Sequence, residues 1–219
     1  MLSVNSAASL HGNVPPDWYY KAINKDRNII RKYVHLARFR SVGGLVEPTN
    51  GKILDIGCAD GMFTKVILDN SKASEIVGID VLKSSVDWSN KHWKKDKRMR
   101  FIVGDAHSLP FNNSTFDAVF ALEVLEHVFE PIRVLQEIKR VLKKGGYAVF
   151  LVPAETLLFK IIWYFWTKYT ISRIWKETHI HAYSANFLVK LVNIIGFEKE
   201  VDKKIIFNTL HFVHVLIVK

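Results

Sequence analysis

Cysteine is almost missing from this chain: Cys58 stands alone in 219 residues, so no intramolecular disulfide can form and an oxidising compartment is not required. Residues 1–15 lack a basic stretch followed by an apolar run, so no secretory leader is expected and a cytoplasmic location is. Internal repeats and low-complexity tracts are absent, which excludes solenoids and flexible arrays. Acids are in deficit, 21 against 31 lysines and arginines, and the formal net charge of +10 favours contact with anions. The excess is local: seven bases stand against Asp26 between Lys21 and Arg40, and six against Asp96 between Lys91 and Arg100. Such runs read as solvated helix faces, with phosphate-bearing substrates or anionic membrane as the functional alternatives.

What is present is the balance of a folded domain, 49% hydrophobic and 24% charged. A chain of this size fits one core, which buries roughly 70% of the surface that the unfolded chain exposes. Apolar runs at 52–57, 75–80, 99–105, 116–123 and 147–153 alternate with helix-like stretches at 62–70, 84–95 and 131–142. That alternation predicts a parallel sheet covered on both faces. In the last of these helices Ile132, Leu135, Ile138, Val141 and Leu142 share a helical period, Pro131 suits the first turn, and Gly145-Gly146 closes it. Residues 17–45 read as a basic helical cap on one edge of the sheet, and 184–195 as a late helix. Runs at 198–207 and 211–219, joined by a polar turn at Asn208-Thr209, predict an antiparallel hairpin. The expected architecture is a doubly wound, mostly parallel seven-stranded α/β sheet with helices on both faces. It divides into a helical cap (1–46), a core (47–153), an insertion (154–183) and a C-terminal helix with hairpin (184–219).

Chemistry concentrates where the first apolar run meets Gly57-Cys58-Ala59-Asp60-Gly61 and then a helix. Glycines there allow a sharp turn and a close backbone approach to a ligand. Asp80 ends the second predicted strand, where a carboxylate can accept both hydroxyls of a ribose; Asp105 ends the third, within reach of an adenine amino group. A nicotinamide dehydrogenase is disfavoured, because the loop is not G-x-G-x-x-G and Asp60 would set negative charge near a pyrophosphate.

With the segments Gly78-Ile79-Asp80, Gly104-Asp105-Ala106-His107-Ser108-Leu109-Pro110-Phe111, Phe116-Asp117-Ala118-Val119 and Leu142-Lys143-Lys144-Gly145-Gly146, residues 50–153 resemble the Rossmann-like (class I) S-adenosylmethionine-dependent methyltransferases, in the small-molecule branch that includes quinone-pathway enzymes. The resemblance implies S-adenosylmethionine as cofactor. It places Gly57 and Gly61 beside the methionine part, Asp80 on the ribose, and Asp105 with Ala106 around the adenine. Asp55 would orient the loop and the cofactor amine, and Cys58, Phe63, Val81 and Leu122 complete the expected cofactor set. Ala59 departs from the glycine usual in the family and narrows the loop.

After the fourth predicted strand comes Glu123-Val124-Leu125-Glu126-His127. On a helix, positions 123, 126 and 127 share a face, suited to proton transfer from a hydroxyl or to a divalent metal. The pattern is similar to that of metal-assisted O-methyltransferases, for which His179 or His181 would supply a further ligand. Structural roles for the acids and the histidine are the alternative. Glu126, His127 and His181 are the candidate catalytic residues, and a metal is left undecided. Finally, 157–169 is rich in Phe, Trp and Tyr but interrupted by Lys160 and Lys168, too short for the roughly 20 apolar residues of a membrane span. It reads as a lid, a dimer contact giving a homo-oligomer, or a helix in the membrane interface.

The function expected is methyl transfer to an oxygen or carbon of a hydrophobic or lipid-linked small molecule, with peripheral membrane contact. RNA or protein methylation and a non-catalytic cofactor-binding subunit are the alternatives. Nucleic acid is the less favoured partner because the insertion is so apolar.

Overall fold

In the computed structural model, the residues described are 8, 11–153, 160, 161, 164, 168, 180, 181, 185–205 and 210–217. Five strands, β1 (Lys52–Ile56), β2 (Glu75–Asp80), β3 (Met99–Val103), β4 (Phe116–Leu122) and β5 (Leu142–Pro153), pair in parallel in the order β3-β2-β1-β4-β5. Beyond β5, β7 (Leu210–Ile217) and then β6 (Phe197–Ile205) continue the sheet antiparallel. The turn expected at Asn208-Thr209 lies outside the described residues, as does most of the aromatic insertion; of the latter, Lys160, Ile161, Tyr164 and Lys168 are described and helical.

Strand side chains alternate between faces, and the two apolar layers follow that alternation. Ile53, Ile76, Ala118 and Phe120 point to a layer built with Phe63 and Ile67 of α3 (Met62–Asn70) and with Phe39 and Val42 of α2 (Ile29–Gly43). Leu54, Ile56, Val77, Ile79 and Val119 point the other way, against Val134, Leu135 and Ile138 of α5 (Pro131–Val141) and Leu188 and Val192 of α6 (Ala185–Ile195). Helices therefore cover both faces. A remaining helix, α4 (Lys83–His92), follows β2, and the short α1 (Trp18–Asn24) precedes α2.

Two local expectations are corrected. Helix α2 packs against α3 on one face of the sheet rather than on an edge strand, Phe39 meeting Phe63 at 4.6 Å between ring centroids within the apolar layer. Gly145-Gly146 does not close α5: Leu142 is already extended and pairs with Phe116, and Gly145, at φ 73°, lies in the register shift that follows. No helix among the described residues is long and apolar enough to cross a membrane.

Candidate active site

The strand order reverses between β1 and β4, and the carboxyl ends of β1 to β4 open into one crevice there, as expected of a topological switch point. Its floor begins with the glycine turn. Gly57 has φ 70°, and a Cβ on it would stand 2.5 Å from a methyl of Val124, so the β1 and β4 loops can touch only without a side chain here. The Gly57 and Cys58 amides donate to the carbonyl of Ile79 at 2.8 and 3.2 Å, stitching the turn to β2. Ala59 also sits left-handed, at φ 45°, which accounts for the glycine usual at this place in the family.

Asp80 supports that turn. Its Oδ2 accepts the Ala59 amide at 2.9 Å and its Oδ1 the Leu82 amide at 2.8 Å, while burial raises its pKa from the ordinary value. Asp105 accepts the His107 amide at 2.9 Å and faces His107 Nδ1 at 2.6 Å; His107 Nε2 in turn accepts the Glu130 amide at 3.3 Å. The Glu130 contact makes Nε2 the acceptor and leaves the ring hydrogen on Nδ1, directed at Asp105.

Of the residues expected from the sequence, Gly57, Phe63, Asp80, Val81, Asp105, Ala106, Leu122 and His127 line the crevice. Asp55, Cys58, Gly61, Glu126 and His181 are not among the lining residues. Asp55 lies beneath the turn, where it accepts the Thr64 hydroxyl at 2.5 Å; burial pushes its carboxyl up to about 7. Cys58 packs with Val86 and Phe101, and burial raises its thiol well above the ordinary value. Asp60 is buried and takes the Tyr20 amide at 2.7 Å, fastening α1 to the loop, with its carboxyl pushed by burial up to about 6.

The single helical face expected for Glu123, Glu126 and His127 does not form. The Glu123 amide still bonds to Leu151 on the sheet at 2.7 Å, Glu123 itself turns at φ 58°, and only one 3-10 turn follows, Leu125–His127. Such a turn is too short to stack the three side chains. Glu123 faces the crevice and pairs with Arg38, and its Oε2 accepts the Tyr19 hydroxyl at 3.3 Å. Glu126 is buried, its carboxyl raised by desolvation to about 8, and among the described residues its Oε2 has no hydrogen-bond partner. Its main-chain carbonyl accepts the amides of Ile180 at 2.8 Å and His181 at 3.2 Å, which brings His181 beside the loop. His127 stays in the crevice, its ring edge-on to His11 at 4.9 Å. Among the described residues no three His, Cys, Asp or Glu side chains converge as metal ligands.

Sequence reasoning missed the roof. His11, Val14, Pro15, Trp18 and Tyr19 close the crevice from the N-terminal side. The aromatic cluster Trp18-Tyr19-Tyr20, ahead of a basic helix, was the available signal.

Residues 54–150 match the family described as "Methyltransferase domain". An uncharacterized methyltransferase of Schizosaccharomyces pombe is 32% identical over 104 residues, covering 44% of this chain and 37% of that protein. A demethylmenaquinone methyltransferase of Thermotoga maritima is 28% identical over 185 residues, 80% of each chain. The chain thus spans little more than a third of the first relative and most of the second. Among solved structures, an S-adenosylmethionine-dependent methyltransferase of Aquifex aeolicus superposes with a TM-score of 0.67 at 17% identity, covering 93% of this chain and 98% of that one, a likeness of fold. The glycine turn, the acids at the ends of β2 and β3 and these matches converge on residues 54–150, a domain similar in sequence motif and in fold to the class I S-adenosylmethionine-dependent methyltransferases.

Proposed function

We propose that this protein methylates an oxygen or carbon atom of a hydrophobic or lipid-linked small molecule. The observation that carries the reading is the apolar and aromatic character of the crevice around Glu123 and His127: Val14, Pro15, Trp18, Phe63, Leu122 and Val128 all line it. A flexible polar polymer would find little to bond to there, whereas an apolar ring or chain would be desolvated. The quinone substrate named for the Thermotoga maritima relative is of this class.

The crevice suits the donor. Asp80 and Asp105 retain lone pairs for a ribose diol and an adenine amino group, Val81 and Ala106 offer apolar contact to the base, and among the described residues no lysine or arginine lines the crevice to receive a pyrophosphate. When bound, S-adenosylmethionine supplies a methyl group already activated by its sulfonium. The protein's share of the work is then alignment and exclusion of water, which the N-terminal roof provides. For a hydroxyl acceptor, His127 is the crevice side chain placed to take the proton, and Glu126 and His181 shape its loop from behind. A peripheral contact with anionic membrane belongs to the same reading, supported by the net charge of +10 and by exposed Ile29, Ile30 and Tyr33 on α2.

The test is incubation of purified protein and methyl-labelled S-adenosylmethionine with a cell lysate, followed by separation of lipid, RNA and protein. Label in the solvent-extractable fraction is the expected result. Label confined to RNA or protein overturns the proposed acceptor class, and binding without any labelled product leaves a non-catalytic subunit.

A further inference from the structure

We infer that Glu123 is the anchor for the α-ammonium group of the cofactor's methionine end, with Tyr19 and Arg38 of the N-terminal helices holding its carboxylate in place. The inference rests on the cofactor assignment above. Among the described residues, three carboxylates line the crevice: Asp80, Asp105 and Glu123. The first two end or follow β2 and β3, where an acid suits the nucleoside half of a ligand. That leaves the β4 side for the amino-acid half, and there Glu123 is the lining acid. Asp55, which the sequence suggested for the amine, lies below the turn with its Oδ2 engaged by Thr64.

Glu123 is positioned for the task from both sides. Its neighbour Val124 would meet a Cβ on Gly57 at 2.5 Å, so the Glu123 loop rests directly on the glycine turn. Its backbone is left-handed at φ 58°, a conformation that a non-glycine residue keeps only where its surroundings over-determine it. Its side chain is over-determined too: Arg38 pairs with Oε1, the Tyr19 hydroxyl donates to Oε2, and the Arg38 guanidinium stacks 5.8 Å from the Tyr19 ring. An ionised carboxylate has about four lone-pair sites, so these two partners orient it and leave room for an ammonium donor. Partial burial among fixed partners then makes the carboxylate–ammonium contact stronger than it would be in water.

Calorimetry with two ligands tests this. S-adenosylhomocysteine carries the ammonium; 5′-methylthioadenosine has the same nucleoside and lacks the amino-acid end. Glu123→Gln should weaken S-adenosylhomocysteine about ten- to hundredfold, the scale for losing a charge-assisted hydrogen bond, and leave methylthioadenosine unchanged. Tyr19→Phe should produce a smaller loss with the same selectivity, and Asp80→Ala should weaken both ligands. On the wild-type protein, N-acetylated S-adenosylhomocysteine should lose affinity to the same extent as Glu123→Gln does with the parent ligand, so the result holds even if that variant folds poorly. Equal weakening of both nucleosides by Glu123→Gln, or full affinity of the wild type for the acetylated ligand, would overturn the inference. Failure of the wild type to bind either nucleoside would instead strike at the cofactor assignment.

Discussion

His35, on α2, is buried with neither ring nitrogen hydrogen-bonded among the described residues, its ring edge-on to Tyr19. Burial, with Arg38 and Arg31 adding repulsion, lowers its pKa to about 3. A histidine that charges more readily when unfolded removes stability as pH falls through its ordinary value near 6.5 and continues to do so down to its folded value. Between pH 7 and 5 this amounts to about 2 kcal/mol. His35→Phe should raise the urea midpoint at pH 5 relative to that at pH 7, compared with the wild type; an unchanged difference between the two pH values would show that the imidazole is not an acid-sensitive group. Glu126 acts in the opposite sense. Its folded value of about 8 lies above the ordinary 4.5, so its contribution to stability is lost as pH rises through that window. Comparing the pH difference of the His35 variant with that of the wild type cancels the Glu126 contribution, which both share.

At the scale of the element, the turn between β1 and α3 is the part most legible in sequence. Helix α3 covers the predicted 62–70 and β2 the predicted 75–80, because short apolar runs bounded by glycine specify such elements locally. Ala59 is the one strained member, a side chain held at φ 45°. Ala59→Gly should raise stability by about 1 kcal/mol and preserve the amide bond to Asp80, since glycine takes that conformation without steric cost. A fall in melting temperature would mean that the Ala59 methyl contributes packing that outweighs its strain. By contrast, E-x-x-E-H misled: a helical spacing says which side chains would share a face if a helix forms, and here the sheet bond from Glu123 to Leu151 decides that it does not.

Across the whole molecule, charge and exposed apolar surface coincide on α2. Ile29, Ile30 and Tyr33 are 81%, 70% and 64% exposed, and Lys25, Arg27 and Lys32 are exposed around them. In a two-fold dimer through this patch the cations would face one another, whereas an anionic bilayer neutralises them while taking the apolar side chains. Each base near such a surface adds attraction of about 1 kcal/mol. The protein should therefore co-sediment with phosphatidylglycerol vesicles, less with phosphatidylcholine, and less as salt rises. Replacing Ile29, Ile30 and Tyr33 with serine should weaken binding to both while sparing S-adenosylhomocysteine affinity. A wild-type protein that remains in the supernatant with both lipids removes the membrane from the reading.

The amino-acid sequence alone determined the parallel core, its glycine turn and the acids closing β2 and β3, because strand periodicity, turn chemistry and strand-end position are properties of neighbouring residues. Only the tertiary structure decided which acids face the crevice. Asp55 and Glu126 turn inward, while Glu123 is drawn into the crevice by Arg38 and by Tyr19, 104 positions away in sequence. The direction of a carboxylate depends on the partners that compensate its desolvation, and those partners arrive only when the N-terminal helices close over the sheet.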